Sequence, residues 1–221
     1  METLKTVLDS PVFLIAWAAL MVPSMLILWR DLRQNNAHLG SLMKVVWSLT
    51  VLYSGPVGLL IYWVSGRKEI SDDADWRRGF RSVAHCYSGC GMGEIVGVMV
   101  AVGLFAAGNL STAFVTFTLA YLAGVALTIG PLMQDGVAFR QAIHDALISE
   151  TPSIAVMEIV AIGADLLLAG QATMGDVRFW SSIIVSLTLG LLAAYPVNLL
   201  LIRMGIKEGM MDPRDTEMST S

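Results

Sequence analysis

Six apolar runs, each close to the length of a bilayer crossing, constrain this chain more than any other feature: residues 12–29, 44–64, 83–107, 110–133, 153–171 and 179–203. A hydrocarbon core about 30 Å thick needs ~20 residues of helix, and only short polar connectors separate the runs. A hydrophobic fraction of 55%, a charged fraction of 14% and a mean hydropathy of +0.66 lie outside the balance of a soluble domain. Membrane β-strands are excluded, because the runs are continuous rather than alternating and are about twice the length such a strand requires. The expected fold is all-α: a polytopic membrane protein, one domain over residues 1–221, built as a bundle of about six transmembrane helices with sequential neighbours antiparallel. A short polar tail, 206–221, is expected to be disordered. The first run leads straight into Asp31 and Arg33 with no small-residue cleavage site, which predicts an uncleaved helix.

With six crossings, Lys5, Arg67, Lys68, Arg77, Arg78, Arg81, Arg140, Arg203, Lys207 and Arg214 fall on one side and Arg30, Arg33, Lys44 and Arg178 on the other. The positive-inside rule then places both termini of the multi-pass chain in the cytoplasm. The net charge of −4 owes much to loop and tail acids, and no basic nucleic-acid-binding face is visible. Trp76 with Arg77, Arg78 and Arg81 suits either an amphipathic stretch on the inner leaflet or a solvated hairpin. FRQAIHDALISETPS, with Phe139, Ile143 and Leu147 at four-residue steps, reads as a surface helix ending near Pro152.

Ionisable side chains inside the runs are the candidates for function. In HCYSGCGMGE, residues 85–94, Cys86, Cys90 and Glu94 stand at i, i+4 and i+8 and share one ridge of a helix. His85, Gly89, Gly93 and Gly97 form the adjoining ridge, where small residues allow another helix backbone to come close, in this chain or in a homodimer. Burying Glu94 in hydrocarbon costs ~2.5–3.5 kcal/mol on insertion scales, so it needs a partner or a purpose. The fifth run adds Glu158 and Asp165, seven residues apart on one face, with Met157 beside the first. Glu158 falls at a depth between Cys90 and Glu94, and Asp165 near the midplane, so the acids and thiols are able to cluster. In the sixth run, Tyr195, Pro196 and Asn198 add buried polarity, with Asn198 suited to hydrogen bonds between helices.

Two thiols one turn apart converge on a soft metal ion, with His85 or Met157 completing the shell; thiolate with imidazole suits Cu(I) or Zn(II) better than Mg or Ca. Inert packing and thiol redox chemistry stand beside that reading, although a disulfide within one turn strains the backbone. The acids read either as a hydrogen-bonded pair fixing helix packing or as a proton or cation relay. No motif for a nucleotide, flavin or haem is present.

HCYSGCGMGEIVG, SIAVMEIV, AAYPVNLLLI and WSLTVLYSGPVGLLIYW together resemble the uncharacterised prokaryotic membrane family known as domain of unknown function 4396, over nearly the whole chain. The resemblance implies a small multi-pass membrane protein whose signature positions correspond to His85, Cys86, Cys90, Glu94, Met157, Glu158, Pro196, Val197 and Asn198. Ala161 and Ile162 stand where that family commonly has Asp-Asn, which breaks the inheritance of any role for that segment. The family implies no activity. The expected function is therefore the binding of a soft metal, Cu(I) first, at His85, Cys86, Cys90, Glu94, Met157 and Glu158, with transport or delivery as its purpose. The alternatives are an accessory subunit of a larger membrane complex and a membrane thiol oxidoreductase. The lipid bilayer is the one partner the composition requires.

Overall fold

The computed structural model describes residues 2–134 and 136–215. Its helices are α1 (Glu2–Leu8), α2 (Pro11–Gln34), α3 (Ser41–Ser54), α4 (Pro56–Ser65), α5 (Asp75–Val98), α6 (Asn109–Gln134), α7 (Phe139–Ala169) and α8 (Val177–Arg203), and no strand occurs among the described residues. Five helices are long and apolar enough to cross a membrane: α2, α5 with the π-helical turn Met99–Leu104 that extends it, α6, α7 and α8. The chain is a multi-pass membrane protein of the expected all-α class.

The run 44–64 departs from expectation. Gly55 takes φ +54, in the left-handed region, and Pro56 opens a new helix after it, so α3 and α4 fold back on one another as a hairpin. The ring centroids of Trp47 and Tyr62 lie 5.3 Å apart, whereas 15 residues of straight helix would separate them by ~22 Å. Both ends of the hairpin meet the end of α2. There the buried Asp31 accepts hydrogen bonds from Tyr62 Oη (2.7 Å), Asn35 Nδ2 (2.7 Å), Asn36 Nδ2 (2.9 Å) and Arg67 Nε and Nη2 (3.0 Å each). At the tip, Gly55 rests against the Trp17 ring; Trp17 is 14 residues along α2 from Asp31, so the hairpin reaches ~21 Å into the bundle and stops short of the far side. Sequence length alone made this run a crossing, but 14 and 10 residues are each too short to span.

Five helices run the length of the bundle, so the segment just before α2 and the segment just after α8 lie at its opposite ends. Asp9, just before α2, pairs with Arg178 at the start of α8. The segment after α8 joins the other face, where Pro213 O meets His38 Nε2 at 2.7 Å and Met210 O accepts from Arg81 Nε at 3.4 Å. The expectation that both termini share a side rested on six crossings, one of which is this hairpin. We call the two sides the N-terminal and C-terminal faces.

Two boundaries also move. Pro152 does not end a surface helix; it lies inside the single 31-residue α7, where a neighbouring helix can accommodate the lost backbone hydrogen bond. Trp76 and its arginines form the first turns of α5, with Arg77 stacked 4.4 Å from the Trp76 ring centroid and Arg81 fully buried. The tail is not featureless: residues 206–215 fold back against the bundle, while 216–221 lie outside the described residues.

Gly55 supplies a test whose sign separates the two architectures. In the hairpin, Gly55→Ala forces an L side chain into the left-handed region against Trp17 and lowers stability by about 1–3 kcal/mol. In a straight crossing helix the same change would raise stability by up to about 1 kcal/mol. Thermal unfolding in detergent reads the sign directly.

Candidate functional site

The third apolar run becomes the central helix because it is the least able to face lipid. Sixteen of the 24 residues of α5 are buried, and each of its sides meets a different neighbour. Gly89, Gly93 and Gly97 lie against the α6 backbone: an added Cβ would come within 2.9 Å of Gly124 Cα, 2.4 Å of Leu119 O and 2.7 Å of Thr116 Cα respectively. The glycine ridge is thus an internal contact. On another side Ser88 Oγ donates to Val46 O at 2.8 Å and lies 3.2 Å from Thr50 Oγ1 of the hairpin, while Tyr87 packs edge-on against Tyr53.

The third side carries the chemistry and faces α7 and α8. Cys86 and Cys90 are fully buried free thiols, side by side on the ridge. Ser153 Oγ donates to Cys86 Sγ at 3.7 Å. Glu158, 0% exposed, has both thiols and Glu94 as neighbours, with the weak Cys90 S–H its nearest donor; no hydroxyl, amide or cationic group among the described residues donates to either of its oxygens, nor to Glu94 Oε2. Buried polar atoms are rarely left so. Glu94 in turn neighbours Asp165, whose Oδ1 accepts from Ser182 Oγ at 2.6 Å. Glu94 and Asp165 line a cavity of about 260 Å³ that runs between α5, α6 and α7 to the loops of the N-terminal face, passing Thr116, Thr112, Asn109 and Thr173.

Toward the C-terminal face the thiols continue into a hydrogen-bonded chain. Asn198 Nδ2 donates to Ser153 Oγ at 2.5 Å and to Ala194 O at 2.9 Å, and its Oδ1 accepts from Ser82 Oγ at 2.9 Å. Lys207 Nζ donates to Asn198 Oδ1 at 2.9 Å and to Glu150 Oε2 at 2.7 Å, while Thr128 Oγ1 donates to Glu150 Oε1 at 3.2 Å. His85 is buried with Nε2 unpartnered, and its charged neighbours are Glu150 and Lys207.

The structure thus gathers Cys86, Cys90, Glu94, Glu158 and Asp165 along one path, and Asn198 holds its C-terminal end. It sorts His85 into a separate group one step nearer that face. Met157 packs on Gly190 of α8, which an added Cβ would bring to 3.2 Å from Met157 Cγ. Tyr195 is not part of the site: it is half-buried, stacked on Phe80 with centroids 4.1 Å apart, and its hydroxyl meets Trp76 O at 3.4 Å. Among the described residues, no group of three or more His, Cys, Asp and Glu side chains is arranged to hold a metal ion.

Sequence reasoning missed Ser82, Thr128, Glu150, Ser153 and Lys207. Ser82 is the i−4 member of the Cys86, Cys90, Glu94 ridge. Glu150 continues the stripe of Glu158 and Asp165 backward along α7, Ser153 stands one turn from Glu150 on the adjoining face, and reading Pro152 as a helix end concealed both. Nothing in the sequence signals that Lys207, beyond the last helix, turns back into the bundle.

A buried polar helix enclosed by α3, α4, α6, α7 and α8, with acids and thiols on one side, defines a multi-pass membrane protein with an intramembrane polar site. The chain belongs to a family described as domain of unknown function (DUF4396), whose model matches residues 75–207 and so covers α5 to α8 with the site. No curated protein and no solved structure matches the chain.

The glycine ridge provides a paired test. Gly93→Ala drives a methyl group into the α6 backbone and costs about 1–3 kcal/mol. Gly163→Ala on α7, where nothing lies within 4 Å of the added carbon, gains about 0.5–1 kcal/mol of helix stability. Equal melting temperatures for the two variants in detergent would refute the close α5–α6 contact.

Proposed function

We propose that the protein binds a soft metal cation inside the membrane, with Cu(I) as the first choice, on the thiolates of Cys86 and Cys90 beside the carboxylate of Glu158. The observation that carries this reading is the buried Glu158 carboxylate, which faces two thiols and receives no hydroxyl, amide or cationic donor. A buried carboxylate without donors requires either a proton or a cation, and two sulfurs one helical turn apart favour a soft one. Tetrahedral zinc needs four ligands, and no such group is gathered among the described residues; Cu(I) accepts two thiolates. Ligation displaces the thiol protons; Glu158 is the carboxylate beside both thiols, and its neighbour Glu94 lines the 260 Å³ cavity. That cavity is the natural entry for an ion, and transport or delivery is the purpose such a path would serve.

Orientation follows from charge. Of the 14 Lys and Arg residues, only Lys5 and Arg178 lie at the N-terminal face. The positive-inside rule therefore puts the C-terminal face, with the hairpin ends and the tail, in the cytoplasm, and opens the cavity to the outside of a cytoplasmic membrane.

Two measurements test this. After anaerobic loading with Cu(I), detergent-purified wild-type protein retains near-stoichiometric copper by inductively coupled plasma mass spectrometry, and Cys86→Ser/Cys90→Ser loses it; equal, empty preparations of both would end the proposal. Reporter fusions are expected to place the N-terminus outside and the C-terminus inside, and two cytoplasmic ends would overturn the assigned orientation.

A further inference from the structure

The polar chain ends at the C-terminal face in an unusual way: its last cation comes from the protein's own tail. Gly205, at φ +69, reverses the chain after α8, with Ile206 N bonding back to Leu201 O at 3.0 Å. The reversal sends Lys207 back between α7 and α8. Its side chain is 9% exposed and that of Glu150 2%. The next residues cross the face as a strap: an added Cβ on Gly209 would lie 2.5 Å from Arg78 Cβ, Met210 O accepts from Arg81, and Pro213 O meets His38. Beside the ammonium stands His85, buried, with Nε2 unpartnered. A single polar chain, Asn198 to Ser153 to Cys86, joins this group to the thiols.

We infer that Glu150 and Asn198, with His85 beside them, form a second cation site at the C-terminal face, for a small monovalent cation, which the Lys207 ammonium fills as a tethered plug. The donor set observed on the ammonium is a carboxylate and an amide carbonyl, with the unpartnered His85 imidazole in the same buried group, and it serves an ammonium or a metal cation arriving from Cys86. Withdrawal of the strap would empty the site and open the path to the cytoplasmic side. This extends the reading of the thiols as a cation site, but its test requires neither thiol nor metal.

The test is chemical rescue. Lys207→Ala in detergent is titrated with methylammonium chloride against tetramethylammonium chloride at equal ionic strength, with thermal unfolding as the readout. The variant should melt several degrees below wild type, regain most of that loss saturably with methylammonium, and gain nothing specific from tetramethylammonium. Lys207→Ala/Glu150→Gln should show no rescue, and rescue should persist when Cys86 and Cys90 are both changed to Ser. Equal responses to the two salts, or rescue that survives Glu150→Gln, would show a structural ion pair only and overturn the proposal. Should Lys207→Ala fail to purify, Lys207→Gln takes its place in the same titration with the same criteria.

Discussion

The architecture depends on one helix that the bilayer cannot solvate. In its most apolar window α5 is 56% buried, against 17–39% for the other spans. Hydrocarbon offers no partner to His85, Ser88 or Glu94, so protein has to surround them on every side. Each side is met differently. Glycines let α6 approach backbone to backbone, the serine and threonine face receives the hairpin, and the thiol face receives α7 and α8. Remove the need to enclose α5 and the hairpin has no reason to exist.

The chain handles buried acids in two contrasting ways. Asp31 is surrounded by donors from Tyr62, Asn35, Asn36 and Arg67, and Glu150 has Lys207 and Thr128. Removing one partner of such a buried pair typically costs about 3–5 kcal/mol. Glu158 has none of this, although the same bundle supplies donors to these other buried acids. That contrast separates the acids that are given donors, Asp31 and Glu150, from the one that is not, and the boundary between Glu150 and Glu158 falls at Ser153 and Asn198.

Much of this was legible in the sequence, and the failures share a cause. Length and hydropathy identify five crossings, and helical periodicity alone assembles Cys86, Cys90, Glu94, Glu158 and Asp165, because side chains four or seven residues apart share a face whatever surrounds them. The hairpin was missed because hydropathy is blind to direction: the Gly-Pro step at 55–56 carried the signal, but a run of 21 apolar residues satisfies the length rule as well as a crossing does. Pro152 was overread for the opposite reason, since a proline that ends a helix in water can be carried inside one that is packed against neighbours. Lys207 was beyond reach, because its position depends on the turn at Gly205 and on contacts with elements far away in sequence.

The hairpin also imposes an order of assembly. Its arms of 14 and 10 residues are too short to be stable across a bilayer alone, and its inner face carries Thr50, Ser54 and Ser65. Thr50 finds its side-chain partner, Ser88, only on α5. A ribosome delivers α3 and α4 before α5, so at first the hairpin has only α2 to settle on, through Asp31 and Trp17. Its polar inner face is satisfied only when α5 arrives, so the second apolar run completes its packing after the third is in place.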